Sequence, residues 1–262
     1  MEIGLIITLF LIGFAGAFLS GMLGIGGAII NYPLLLFLPA LLGVGAFTAH
    51  EVSGMVAVQV LTATFAGAMM LRKEKVIHVK LVLCMGTAIL IGSFAGGYGG
   101  MLLPGTAVNL VYAVLATLAA VMMLLPQRGC IERPLKQVEF NRGLAAGAAL
   151  LVGAASGIVG AGGAFLLVPV MLKILKIPIR VTIASSLAIT FLSSIGSVAG
   201  KLASGPILLE PTLVLVAASV LAAPLGTRFG RQVNPRLLQA ILSLLIVGTT
   251  LKIWSDLLHT SL

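Results

Sequence analysis

Ser20-Gly21-Met22-Leu23-Gly24-Ile25-Gly26-Gly27-Ala28-Ile29-Ile30-Asn31-Tyr32-Pro33 returns 136 residues later as Ser156-Gly157-Ile158-Val159-Gly160-Ala161-Gly162-Gly163-Ala164-Phe165-Leu166-Leu167-Val168-Pro169. Seven of the fourteen positions are identical, where composition alone predicts about one. Each copy sits early in its half of a very apolar chain. Each reads as an apolar helix broken by glycine and resumed ahead of a proline. Interrupted apolar segments in corresponding positions of two halves point to the binding site of a secondary transporter.

The chain is 60% hydrophobic and 9% charged, against roughly 25% charged in a soluble domain. So few charges cannot cover a water-facing surface, and the chain reads as an integral membrane protein. Long apolar runs without strict alternation favour helices over a barrel. The start, Met1-Glu2-Ile3-Gly4, lacks the basic stretch of a signal peptide. The first apolar run therefore reads as a membrane segment of the mature protein. Cys84 lies in an apolar run and Cys130 in a basic loop. They are expected at different depths and unpaired, and neither spacing suggests a metal site. No cofactor is implied.

Ten apolar segments are expected, at 4–22, 27–42, 48–71, 80–101, 106–125, 143–160, 163–177, 181–203, 208–227 and 236–256. A full crossing takes about 20 residues. The second and seventh segments are shorter, and each holds the proline of its glycine block. Each either crosses as a broken helix or returns as a re-entrant hairpin beside the preceding segment.

The net charge of +9 is explained by where the charges fall and implies no nucleic-acid partner. Fourteen of the sixteen basic residues lie in the 72–80 and 126–142 loops or around the 173–180 and 228–236 connections, all on one side in the ten-segment count. Lys201 and Lys252 fall on the other side. Basic loops stay cytoplasmic, so both termini are expected outside a bacterial-type cytoplasmic (inner) membrane. Counting each glycine block with its flanks as a single crossing leaves six against ten, which discriminates nothing. Five segments per half is an odd number, so the second half enters the membrane from the opposite side. The expected architecture is all-α and multi-pass: a first transmembrane repeat at 1–125, a cytoplasmic linker at 126–142, and an inverted second repeat at 143–262. A second pair of similar stretches, Val52 to Val58 and Ala184 to Thr190, supports the duplication, and Gly96 to Pro104 against Gly226 to Pro235 is a weaker third.

Broken backbone is tolerated in lipid only where protein or a water-filled cavity satisfies it. Glycine permits positive φ and close approach of another group. A helix restarting after Gly27, or after Gly163, presents free N–H groups and a positive dipole end that favour an anion. The expected site is therefore a small-anion site lined by the backbone of Gly24, Gly26, Gly27, Gly160, Gly162 and Gly163, with Ser20, Asn31 and Ser156. No basic side chain lies in these blocks, so backbone dipoles are expected to supply the positive potential. The competing reading is close packing, because small residues four apart let membrane helices approach. It is assigned to Gly92, Gly96 and Gly100.

Ser53, Ser185 and Ser186 are candidate substrate contacts because their stretch recurs in both halves. Gln59, Thr62, Thr190, Ser193 and Ser194 also sit in apolar helices, where such groups bind substrate or bond to neighbouring backbone. A Glu at a membrane segment is a functional candidate, so Glu51, beside His50, is a candidate for proton coupling. The competing reading is an interfacial carboxylate. His78 and His259 are expected in solvated loops. Tyr98, Tyr112 and Trp254 are expected as interface anchors.

The duplicated Gly-x-Gly-Gly with its proline, together with the Val52–Val58 and Ala184–Thr190 stretches, resembles the sulfite exporter TauE/SafE family of bacterial-type permeases. The resemblance covers about Gly13 to Trp254. It implies transport of sulfite, sulfonates or other sulfur-containing anions across the inner membrane, and a binding region at the two glycine blocks with their polar neighbours. Val52-Ser53-Gly54 departs from the family's usual Thr-Ser-Leu. The expected partners are a small anionic substrate and the bilayer, with homo-oligomerisation left open.

Other classes leave weaker marks. No G-x-x-x-x-G-K-[ST] pattern for nucleotide hydrolysis occurs. An intramembrane protease needs a Ser activated by His, and every His lies near a segment end, so no catalytic residue is assigned. A passive anion channel is the alternative to a carrier, since broken helices suit both.

Overall fold

A computed structural model describes residues 2–24, 26–72, 78–124 and 140–234, with scattered positions from 237 to 255. Every regular element among them is helical: α1 (Ile3–Leu23), α2 (Ala28–Leu41), α3 (Ala49–Arg72), α4 (Val79–Gly100), α5 (Gly105–Leu124), α6 (Arg142–Val159), α7 (Ala164–Pro169), α8 (Ile179–Ser204) and α9 (Leu209–Gln232). A π-helical turn, Val170–Ile174, continues α7. The described positions between 237 and 255 are helical as well. Most of the expected 126–142 linker, Cys130, Lys252 and His259 lie outside the described residues.

The helix ends follow local chemistry. Asn141 caps α6 by accepting the Leu144 N–H at 3.2 Å, and His78 Nδ1 caps α4 by accepting that of Leu81 at 3.2 Å. Thr48 and Glu51 close a reciprocal capping box on α3. The Glu51 carboxylate accepts the Thr48 N–H at 2.8 Å, and the Thr48 hydroxyl accepts the Glu51 N–H at 3.3 Å. Pro178 precedes α8, and Pro104 precedes α5, because their fixed φ suits a first turn. The helices begin and end within two residues of the expected segments, with two exceptions. The short α7 and its π turn end at Ile174, where Lys176 adopts φ 53°. α9 runs on to Gln232 because Gly226 and Gly230 continue to pack on α1.

Among the described residues, seven helices are long and apolar enough to cross a membrane: α1, α3, α4, α5, α6, α8 and α9. α2 has 14 residues, and α7 with its π turn is shorter still. α2 doubles back along α1. The Asn31 carboxamide lies against Gly16, and Val44 and Gly45, past the end of α2, touch Gly4 and Leu5 at the start of α1. Gly163 likewise returns onto Val152 and Ser156 of α6.

The main helix pairs are α1 with α9, α4 with α6, α4 with α8, α3 with α9 and α3 with α8. Exchanging the halves maps this set onto itself, and the agreement extends to single residues. Gly226 lies directly against the Phe18 carbonyl oxygen, and Gly96 directly against that of Ala154, with no room for a Cβ at either. Gly21 abuts Ala223 and Thr227 as Gly157 abuts Ser93 and Gly97. Residue numbers differ by 136 between α1 and α6 and by 130 between α4 and α9. The helix starts of α3 and α8 also differ by 130. Ser53 thus matches Ile183 in position, and the sequence pairing of Ser53 with Ser185 is two residues out of register. The Gly92–Gly96–Gly100 stripe packs backbone to backbone on α6, as the small-residue reading expected.

Large apolar side chains such as Leu11, Leu83, Ile91, Leu151 and Leu213 project outward from the crossing helices. The fully buried bulk includes Tyr32, Tyr112, Phe165 and Lys201.

Candidate functional site

The two glycine blocks share one backbone conformation. Gly24, Gly26 and Gly27 have φ of 74°, 76° and 74°, and Gly160, Gly162 and Gly163 have 78°, 62° and 74°. Three left-handed residues in four reverse the chain at little steric cost only when all three are glycine. Gly24 and Gly160 end α1 and α6. Gly27 and Gly163 start the returning helices, with no side-chain cap on either. The first-turn N–H groups of α2 are therefore free of any side-chain cap, as an anion at that end requires.

Both blocks lie against the central pair, α3 and α8. A Cβ on Gly24 would meet Ser186 Oγ and the Ile183 carbonyl at 2.7 and 2.8 Å, and one on Gly160 would overlap the Ser53 carbonyl oxygen. Gly162 touches Val60 and Thr190, near the midpoints of α3 and α8. Glycine is required at Gly24 and Gly160 twice over, by φ and by the adjoining backbone.

Four buried polar side chains border this region with hydrogen-bonding capacity unused among the described residues. They are Ser20 Oγ, both polar atoms of Asn31, Gln59 Oε1 and Thr190 Oγ1. Gln59 Nε2 donates to the Gly13 carbonyl at 3.2 Å, one helical turn from the Gly16 against which Asn31 lies. Ser20 faces Gly27, and Thr190 faces Gly162. Leaving such a group unpaired costs about 1–3 kcal/mol, so a concentration of them beside two glycine turns is the candidate site for a polar ligand.

Other expected site residues are engaged elsewhere. Ser185 Oγ accepts the His78 N–H at 3.1 Å and so anchors the start of α4. His78 is partly buried with its ring edge-on to Phe140, and is not a solvated loop residue. Ser186 Oγ donates to the Gly24 carbonyl at 2.8 Å, fastening the first hinge to α8. Ser156 Oγ donates to the Gly153 carbonyl at 3.3 Å. Ser193 bonds to Ser93 across α8 and α4, while Thr62 and Ser194 bond back to their own helices. Tyr112, expected at an interface, is fully buried. Its hydroxyl donates to the Ile29 carbonyl at 2.5 Å and its ring stacks on Tyr32 at 4.7 Å, bracing the first turn of α2. Tyr98 and Trp254 are exposed, as anchors should be. No group of three or more His, Cys, Asp or Glu able to hold a metal occurs among the described residues.

Sequence reasoning missed Lys201. The charge count places it on the side opposite the basic loops, yet it is 1% exposed. Its ammonium donates to Ser53 Oγ at 2.8 Å and to the Ile158 carbonyl at 3.0 Å, two residues before Gly160. A basic side chain therefore does reach the second block, contrary to the expectation of backbone dipoles alone. The signal was its place inside the apolar 181–203 segment, where a Lys is a functional candidate by default. It lies in a cleft of about 330 Å³, open mouth included, with His50, Glu51, Gly54, Met101, Gly205, Pro206 and Ile207.

A bundle of apolar crossing helices with paired hinges of this kind is the architecture of a membrane transporter. The chain belongs to the family described as Sulfite exporter TauE/SafE, which matches residues 9–253. A probable membrane transporter protein of Xylella fastidiosa (strain 9a5c) is 27% identical over 94% of this chain and 94% of its own length. One from X. fastidiosa (strain Temecula1 / ATCC 700964) is 31% identical over 68% of this chain and 65% of its own. The probable membrane transporter protein YunE of Bacillus subtilis (strain 168) is 22% identical over 92% and 94%. No solved structure matches the chain.

Proposed function

We propose that this protein is a secondary transporter of a small anion, a sulfite, sulfonate or other sulfur-containing species, across the cytoplasmic membrane by alternating access. The observation that carries the reading is the pair of triple-glycine hinges on α3 and α8, bordered by the unpaired groups of Ser20, Asn31, Gln59 and Thr190. Ser20, Asn31 and Thr190 offer N–H and O–H donors to an oxyanion, and the start of α2 adds backbone N–H groups. The halves act as inverted repeats, with α2 and α7 as re-entrant arms that reverse at the glycines. The exchange symmetry of the helix pairs supports this, as does the doubling back of α2 along α1. Both termini lie outside, on the strength of the basic-residue bias. Glu51 is the carboxylate proposed to carry a coupled proton.

The test is counterflow in proteoliposomes. Vesicles loaded with unlabelled sulfite or methanesulfonate should accumulate the labelled anion transiently and saturably. Uptake that is linear in concentration, with no counterflow, means a channel. Orientation is checked separately: a phosphatase fused after Leu262 should be active, and a bright fluorescent fusion there would reverse the topology.

A further inference from the structure

Among the described side chains Lys201 is the only buried Lys, Arg, Asp or Glu. Two of its three N–H donors are used, both on neutral acceptors, Ser53 Oγ and the Ile158 carbonyl. No carboxylate among the described residues pairs with it. A buried ammonium held only by neutral groups is costly in an apolar surround. The other half has no counterpart of the charge. At the position related by exchange of the halves stand Leu71 for Lys201, Ile183 for Ser53 and Met22 for Ile158. The sequence there carries neither a charge nor a hydroxyl at the three matching positions.

The cleft beside Lys201 contains a second unused polar group, His50 Nδ1, which is buried and has no partner among the described residues. Glu51 also lines it, with one carboxylate oxygen accepting both the N–H and the hydroxyl of Thr48. We propose that this cleft is a second anion site, distinct from the glycine hinges, in which the Lys201 ammonium holds a small oxyanion with S–O or P–O oxygens. The anion supplies the missing countercharge and takes the free ammonium proton in a hydrogen bond. Glu51 limits the affinity by repulsion, so the site captures the anion without trapping it. The proposal rests on the anion reading of the transporter but on none of the hinge residues.

Binding of sulfite and of methanesulfonate to the purified full-length protein carrying Asn31→Leu, which removes a ligand group of the hinge site, tests the cleft by calorimetry, and every Lys201 and Glu51 variant is compared with that parent. Lys201→Met should weaken binding at least tenfold, and Lys201→Arg should stay within about threefold of the parent. Glu51→Gln, which preserves the capping box, should tighten binding severalfold. The parent's affinity in folded Lys201→Met overturns the proposal. If that variant does not fold, unchanged affinity in Glu51→Gln overturns it instead. Repeating the titration in phosphatidylcholine and phosphatidylglycerol nanodiscs separates the sources of the oxyanion. Competition by phosphatidylglycerol that depends on Lys201 assigns a lipid phosphate to the site, and equal affinities assign the free anion. Counterflow without Lys201-dependent binding sinks this site alone. Lys201-dependent binding without counterflow sinks the transporter reading alone.

Discussion

At the first hinge the helix that restarts after Gly27 carries Asn31, whose carboxamide is buried and has no partner among the described residues. At the second, the helix that restarts after Gly163 carries Leu167 at the same place, buried among apolar neighbours. The glycines, their φ angles and their contacts with the preceding helix repeat almost residue for residue. The polar groups do not. Asn31 and Gln59 correspond in position to Leu167 and Ile189, Thr190 to Val60, and Lys201 to Leu71. The backbone is therefore the shared device, and each half has put its chemistry into different positions on it. Substitutions that copy one half's residue into the other have a known precedent for packing, which separates loss of a ligand contact from loss of fold.

The largest effect is expected from the backbone. Gly160→Ala forces a left-handed alanine, at about 1–2 kcal/mol, and drives its Cβ into the Ser53 carbonyl, which overpacking puts at about 1–3 kcal/mol more. Gly24→Ala meets Ser186 Oγ and the Ile183 carbonyl less closely. Both purified variants should melt below wild type, with Gly160→Ala lower. The opposite order would break the equivalence drawn between the hinges. Side chains larger than alanine at Gly27 or Gly163 are expected to fail in the same way, since each abuts backbone or side chain of the preceding helix. They test the fold before they test transport.

Next comes Asn31→Leu, nearly isosteric and already present as Leu167. Counterflow should fall at least tenfold while the melting temperature holds or rises, because a buried unpaired amide is removed. The reverse exchange, Leu167→Asn, should lower the melting temperature and leave the substrate affinity in place. If Asn31→Leu transports normally, the unpaired amide is not a ligand group. Thr190→Val copies Val60 and removes one hydroxyl, and a several-fold rise in KM with intact folding is expected. A lowered melting temperature with unchanged KM would assign Thr190 to packing.

Glu51→Gln is the smallest. The Gln retains the cap, so stability should not move. If Glu51 carries a coupled proton, gradient-driven uptake should fall more than equilibrium exchange of labelled substrate. Equal decreases would place Glu51 at the entrance only.

Much of this was legible in the chain itself. Apolar run lengths set the helices, because a crossing must satisfy its own backbone and so follows composition closely. The glycine blocks declared themselves by duplication, and their left-handed φ follows from residue type. What could not be read was direction. Ser185 and Ser186 are adjacent and similar, yet one anchors His78 and the other fastens Gly24, because they point to different neighbours of α8. Lys201 and Lys80 are both lysines near helix ends, and only the packing of α3 and α6 around α8 buries the first. The true register of α3 against α8 was likewise hidden. The shorter connection before α8 shifts it by six residues from the hinge spacing, and the serine-rich stretches align by resemblance at a register the contacts do not use.

The interlocked glycine faces also bear on how the chain is made. α6 finds its partner α4 as soon as it emerges, since the two are near neighbours in sequence. The matching pair, α1 and α9, lies at opposite ends of the chain, and Gly21 has no backbone to rest on until Ala223 and Thr227 have been synthesised. Two contacts that are equivalent in the finished protein thus form at opposite ends of its biosynthesis, the distant one after a much longer loop has closed. A ribosome stalled before α9 leaves the first helix with an open groove of small residues, the surface that quality-control factors in the membrane would meet first.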